Sequence, residues 1–353
     1  MKRRWVRWLP AAVIPVAIAA GALIAPIAAG AADLPSKTPA DVLKLVASSD
    51  VRSFSGTVEQ SSDLGLPSLP SIGSGSGSGS QSDATNALEL LTGSHTAKVY
   101  ADGKSKVRVQ VLDRLAERDV VRNGADVWLY TSTGEKVTHV TLPGRTAEKT
   151  TPDATATTPA ELTKRFLAAA EPSTSVTLGA NTTVAGRDAY DLVLTPNTSA
   201  TLVGSVSIAV DGKTGVPLRV QVDARGQQST AFEVGFSSFD PSTPPADVFA
   251  FTPPKGATVT EQALPAQGER KAHAKADHPE PAVSGSGWSS IVTVPVGTVP
   301  ASVTSSPLYG QLTSAVSGGR ALTTSLVSVL LTDDGRVLTG AVPVSALEAA
   351  AAK

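Results

Sequence analysis

Ser205-Val206-Ser207-Ile208-Ala209-Val210, then Asp211-Gly212, then Leu218-Arg219-Val220-Gln221-Val222-Asp223: this stretch decides the fold. In both arms apolar residues take every second position, and Asp-Gly between them supplies a turn. A period of two gives a strand one dry face and one wet face. The alternation extends outward in both directions. Val107, Val109 and Val111 alternate with Lys106, Arg108 and Gln110, and Phe232, Val234 and Phe236 keep the same period. Asp102-Gly103, Asn123-Gly124, Thr133-Gly134, Gly186-Arg187-Asp188 and Arg225-Gly226 separate the runs as turns. The expected product is a mainly β (α+β) chain, one antiparallel meander curling with its apolar side inward.

Two short helices interrupt the strands. Thr38-Pro-Ala-Asp41 offers a cap, a proline at the first helical position and an acid three residues on, which predicts a helix over 39–48. Thr158-Pro-Ala-Glu161 repeats the device and predicts a helix over 159–170, stopped by Pro172. Residues 61–82 hold a Gly-Ser repeat and read as a flexible insert in a main domain spanning 33–262. Residues 263–287, rich in Pro, Ala, Lys and His, read as a linker. Residues 288–353 read as a small unit with a helix over 319–329, a hairpin around Asp334-Gly335 and an Ala-rich helix over 344–352. So small a unit cannot hold a sizeable core alone and is expected to pack back on the main domain.

Composition narrows the function. Among 353 residues Lys plus Arg is 30 and Asp plus Glu is 31, so no global basic field exists to hold a nucleic acid. The absence of cysteine excludes disulfides, thiol nucleophiles, cysteine metal sites and a lipidated N-terminal Cys. Residues 1–32 read as an export signal: Met1-Lys2-Arg3-Arg4, an apolar run from Leu9 to Ala32, and a small-x-small site at Ala29-Gly30-Ala31. An uncleaved anchor is the alternative, since the run is long enough to span a bilayer. Both readings put the rest of the chain outside the cytoplasm, secreted, periplasmic or held at the envelope.

The dry face of a curled sheet must be buried against something. Aromatics are only 4% of the chain and the helices are short, which argues for a cavity rather than a filled barrel. A packed sandwich core is the alternative from pattern alone. Several segments, in order, resemble one family. Val51-Arg-Ser-Phe-Ser-Gly-Thr-Val58 looks like a first strand, Val121-Arg-Asn-Gly-Ala-Asp-Val-Trp-Leu-Tyr130 like a Gly-turn hairpin, and Gly186 to Pro196 like the strand before the helical lid closes. Phe249-Ala-Phe-Thr-Pro-Pro-Lys-Gly256 is the most specific piece. Together, over roughly residues 36–262, they resemble the LolA-like lipoprotein-carrier superfamily. That superfamily takes in lipoprotein carriers, their outer-membrane acceptors, the sensor that guards an envelope-stress anti-sigma factor, and mycobacterial lipid-binding lipoproteins. The resemblance implies an unclosed β-barrel with helices as a lid over an apolar cavity. The carriers' Arg-Pro pair is missing from Tyr100-Ala-Asp-Gly-Lys-Ser-Lys106, so the scaffold carries over more firmly than the cargo. The Ala-rich composition suits an actinobacterium.

On this reading the cavity candidates are Phe54 and Val58 near the first strand, Val109, Trp128 and Tyr130 beyond it, and Leu162 and Phe166 on the second helix. The later strands add Leu192, Leu194, Ile208, Val220, Phe232 and Phe236. Arg114, Arg118 and Arg122 are candidates for a basic rim facing an anionic head group. Chemistry finds little footing. His273 and His278 sit in the linker, His95 and His139 read as surface or rim residues, and no metal or cofactor is expected. Asp113, Glu117 and Asp119, interleaved with Arg114 and Arg118, read as a solvated charged stretch. No nucleophile, base and orienting group can be named, so the chain is not read as an enzyme. The expected function is to bind or carry lipid or lipoprotein acyl chains, each buried CH₂ contributing roughly 0.8 kcal/mol. The alternative is an envelope-stress sensor binding a membrane anti-sigma-type partner.

Overall fold

The computed structural model describes residues 34–66, 94–112, 117–142, 173–263, 281–296, 304 and 307–353. The export-signal reading, the second helix with Leu162 and Phe166, Arg114, and most of the insert and linker fall outside them.

Helix α1 (Pro39–Ala47) starts as the sequence predicts. Thr38 Oγ1 accepts from the Asp41 amide and the Asp41 carboxylate reaches back to the Thr38 amide, closing a capping box. The strands of the main sheet are β1 (Ser53–Ser62), β2 (His95–Asp102), β3 (Lys106–Leu112), β4 (Glu117–Asn123), β5 (Asp126–Thr131) and β6 (Lys136–Thr141), followed by β7 (Thr174–Leu178), β8 (Thr182–Val184), β9 (Arg187–Pro196), β10 (Val203–Asp211), β11 (Pro217–Ala224), β12 (Thr230–Asp240) and β13 (Thr258–Ala263). Their spatial order is β13-β6-β5-β4-β3-β2-β1-β12-β11-β10-β9-β7, with β8 on β9. The sheet is not closed: β13 and β7 stand at its two ends. Ala185 and Gly186, at φ 51° and 71°, make the β8–β9 turn with two left-handed residues, the turn that matches the twist of paired strands.

The expected meander is corrected in two places. β1 does not end the sheet; it lies between β2 and β12 and welds the early and late hairpins together. β13 pairs parallel to β6, Thr258 opposite Lys136 and Ala263 opposite Thr141, so the sheet is mixed. The chain reaches that edge through a strap formed by a single 3₁₀ turn, Ala246–Phe249, and the residues after it.

The C-terminal unit is a second sheet of β14 (Ala282–Ser284), β15 (Ile291–Val294), β16 (Ser314–Val316), β17 (Gly319–Thr323), β18 (Ser328–Thr332) and β19 (Val337–Gly340), with helices α2 (Pro307–Leu312) and α3 (Val344–Ala351). Residues 319–329, expected as a helix, are instead β17 and the start of β18. Ala321 and Leu330 alternate inward under α3, where Leu338 and Leu347 complete a small core. The hairpin around Asp334-Gly335 and the terminal helix are as expected. The unit packs on the main sheet: the Ala341 carbonyl accepts from the Leu202 amide and from Thr201 Oγ1, at 2.8 and 2.7 Å. Trp288 Nε1 donates to Thr174 Oγ1 at 2.8 Å, and Trp288, Leu326 and Ala341 join the main core.

Candidate lipid-binding face

Helix α1 defines the inner face of the main sheet. Its buried Val42 and Leu43 belong to one cluster with Leu192, Leu194, Val206, Val220, Val234 and Phe236. Strand register carries that face from end to end. Leu194 pairs with Val206, Val206 with Val222 and Val222 with Phe232; one step along, Leu192, Ile208, Val220 and Val234 form the next row.

A bulge carries the face across the weld. The register between β1 and β12 slips at Thr57/Val58, so that Val58 faces Phe236 while Gly56 faces Phe239. One extra residue on β12 therefore turns both phenylalanines inward. Phe54 joins them, its ring 6.0 Å from Phe236 and 5.6 Å from Phe239. Arg187 of β9 lies 5.5 Å from the Phe239 ring, although β10 and β11 separate β9 from β12 in the sheet. That contact records the curl. Arg187 also grips Asp211 through two bonds of 3.0 and 2.8 Å. Burial pushes the Asp211 carboxyl up, but Arg187 and Thr214 outweigh it and hold it below its usual value.

Beyond β2 the inner face continues as three rows. The middle row runs Gly56, Val99, Val109, Val120, Leu129 and Thr138. Its exposure rises along the way, from 3% at Val99 to 40% at Val120 and 41% at Leu129. One flanking row passes from Val58 through Ala97 and Val111 to Arg118, Thr131 and Lys136. The other passes from Phe54 through Ala101 and Val107 to Arg122, Val127 and Val140. The inner face is therefore dry near β1 and half-open at β4 and β5, where Arg118 and Arg122 sit on either side of an apolar strip.

The register overturns one part of the sequence reading. Trp128 and Tyr130 alternate with Val127 and Leu129, so they stand on the opposite face, away from Val109 and Phe236. There the strap covers them. Phe251 lies 5.5 Å from the Trp128 ring and 6.2 Å from Tyr130, and Phe249 is buried where the strap's turn meets β3 and β4. His139 stacks on Trp128 at 3.9 Å and bridges Asp126 at 3.0 Å and Glu261 of β13 at 2.8 Å. Desolvation opposes its charge, but the two carboxylates prevail and raise its pKa. Asp119 is likewise no solvated carboxylate. It is buried against Arg108 at 2.6 Å, and Arg108 also donates to the Val248 carbonyl at 3.1 Å, pinning the strap. Burial drives the Asp119 pKa up, with Arg108 pulling against it.

Sequence reading missed the inner-face pair Val120 and Leu129, and Lys136. The alternation Arg118, Val120, Arg122 carries the signal for Val120, whereas Val127-Trp128-Leu129-Tyr130 is apolar at every position and gives none for Leu129. A cavity of about 260 Å³ lies at the bulge, bordered by Ser55, Gly56, Thr57, Lys98, Tyr100, Ser238, Phe239 and Asp240. Among the described residues no cluster of three or more His, Asp or Glu is placed to hold a metal, and no helix is long and apolar enough to cross a membrane.

No family model and no curated protein matches the sequence. Solved structures with a similar course of chain do exist. A chain of the Pseudomonas aeruginosa MucA/MucB complex is 17% identical, with 88% of this chain and 96% of that one covered, at a TM-score of 0.44. MucB in a crystal structure of its own is 18% identical over 88% and 94%, at 0.42. A LolA superfamily protein from Nitrosomonas europaea is 12% identical over 61% and 99%, at 0.24. The main sheet itself is curled, mainly β and left open.

Proposed function

We propose that this chain is an extracytoplasmic lipid- or lipoprotein-binding protein that lays an acyl chain along the inner face of its main sheet. The observation that carries the reading is the middle row, apolar from Val99 to Leu129 and increasingly exposed toward β4 and β5. At about 4.8 Å per strand the row from Gly56 to Leu129 extends about 19 Å. Hydrocarbon placed there leaves water without stranding a polar group, and the gain scales with the area covered. The chain acts by binding and release, not by bond chemistry.

Displacement of a fluorescent acyl probe tests this. The protein is expected to take up the probe, and Val120→Asp with Leu129→Asp to weaken uptake at least about tenfold, since each buried aliphatic side chain contributes roughly 1.5–3 kcal/mol. Equal uptake by wild type and variant would remove the row from the account.

A second reading, a protein partner at the envelope, draws on the C-terminal unit. Val283 on its edge strand β14, and Val296 and Val327 nearby in sequence to β15 and β18, are exposed apolar side chains of the kind that partners cover. MucB, solved in complex with MucA, shows a protein of similar fold engaging another chain. Pull-down from envelope extracts, with and without residues 288–353, separates the two readings.

A further inference from the structure

The inner face changes character at β2. Toward β4 and β5 the middle row lies open, with Val120 at 40% and Leu129 at 41% exposure, but at Val99 the exposure has fallen to 3%. The next position in the row is Gly56. The Phe236 ring lies over it, since a Cβ built on Gly56 would stand 2.6 Å from a ring carbon. Phe239 packs on Phe236 with ring centres 4.7 Å apart, and Phe54 completes the group at 6.0 and 5.6 Å from the two. Phe236 is 1% exposed, whereas Phe54 is only partly buried and stands on the same strand as Gly56, opposite Ala101.

Beyond the rings hydrocarbon finds no further free wall. Phe236 belongs to the cluster that Val42 and Leu43 of α1 complete. Next to Phe239 stands Arg187, 5.5 Å from the ring and held by its two bonds to Asp211. A tail that displaced Phe236 would break into a close-packed core. One that displaced Phe239 would bring hydrocarbon against a charged pair. A polar head is equally unsuited to the ring end, so it stays in water near β4 and β5 and the tail points at the rings. From Val99 to Leu129 the row crosses three strand spacings, about 14 Å. A tail that is still covering the row gains with each methylene added. One that has reached the rings leaves its surplus methylenes in water and gains nothing more.

We infer that Phe54, backed by Phe236 and Phe239, is the stop that sets the length of acyl chain this protein accepts. The inference rests on the acyl-binding reading and adds a chain-length selectivity to it. Of the three rings, Phe236 is sealed in the core and Phe239 is held against Arg187, which leaves Phe54 as the one whose size fixes the end of the row. Cutting it back leaves apolar space beside Ala101, Phe236 and Phe239 for a longer tail to enter.

The test titrates the full chain with lysophosphatidylcholines of stepwise longer acyl chain, each below its micelle-forming concentration, by displacement of the fluorescent acyl probe. In wild type the affinity is expected to rise roughly fourfold for each added methylene and then to level off. In Phe54→Ala the levelling should come at a longer chain, so that the first chain past the wild-type plateau gains several-fold over the last chain before it. Phe54→Leu, read by the same ratio, carries the test if thermal melting shows that the alanine variant does not fold. Leu129→Ala, at the open end, should weaken every chain alike and leave the plateau where it is, which is also what a purely structural role for Phe54 would produce. A plateau unmoved in the folded Phe54 variant, a plateau that moves in Leu129→Ala instead, or a wild-type affinity that climbs without levelling overturns the stop while the acyl reading stands. Binding of no chain in the series overturns both.

Discussion

At Gly56 a hydrogen is the largest side chain the weld admits. A Cβ built there would lie 2.5 Å from the Ser238 carbonyl oxygen and 2.6 Å from the Phe236 ring. Gly56→Val is therefore expected to cost about 1–3 kcal/mol, the range for forced overpacking, and urea titration would read it as a lower midpoint with unchanged slope. Arg187 answers to a different physics. Removing it leaves Asp211 buried and charged, so Arg187→Ala should cost about 3–5 kcal/mol in the same titration. His139 gives a pH signature. Its folded-state pKa is raised by Asp126 and Glu261, so the folded protein holds the proton more tightly than the unfolded chain. That stabilisation is full below the unfolded value near 6.5 and fades as pH climbs through the folded value. Melting temperature against pH should fall across that window in wild type and flatten in His139→Gln.

Among the elements, the strap is the part that local pattern could not reveal. Val127-Trp128-Leu129-Tyr130 is apolar at every position, so a period of two could not say which residues face inward. The strand is covered on one side by Phe251 and half-open on the other, and only the register with β4 decides between them. By contrast Val107, Val109 and Val111 are legible, because charged residues mark their other face. The capping box of α1 is legible too, since its whole logic lies within four residues. The bulge that turns Phe236 and Phe239 to one side is not, because it depends on a partner strand nearly two hundred residues away. Phe249→Ala should cost about 3–5 kcal/mol by opening a cavity beneath the strap. Hydrogen exchange is then expected to quicken first in Thr258–Ala263, the parallel edge strand that the strap delivers.

For the whole molecule, the surprise is how firmly the C-terminal unit is joined. Its size alone foretold that it would lean on the main domain. Which surface it would use depends on contacts far apart in sequence, such as Trp288 with Thr174 and Ala341 with Thr201 and Leu202. Removing residues 288–353 uncovers these groups together, so the shortened chain should melt earlier than the full one, and the full chain in one transition rather than two. Likewise the alternation of each hairpin is plain in the sequence, whereas the seat of β1 between β2 and β12, which makes one sheet of two halves, is a property of the assembled molecule.

The account turns on whether hydrocarbon lies on the inner face. Methyl-labelled NMR of the full chain, titrated with a monomeric acyl ligand, observes that face directly. Binding along the row should shift the methyl signals of Val99, Val109, Val120 and Leu129 and leave Val121 and Val137, on the opposite face, in place. Shifts confined to Val121 and Val137, or no shifts at saturating ligand, would contradict it.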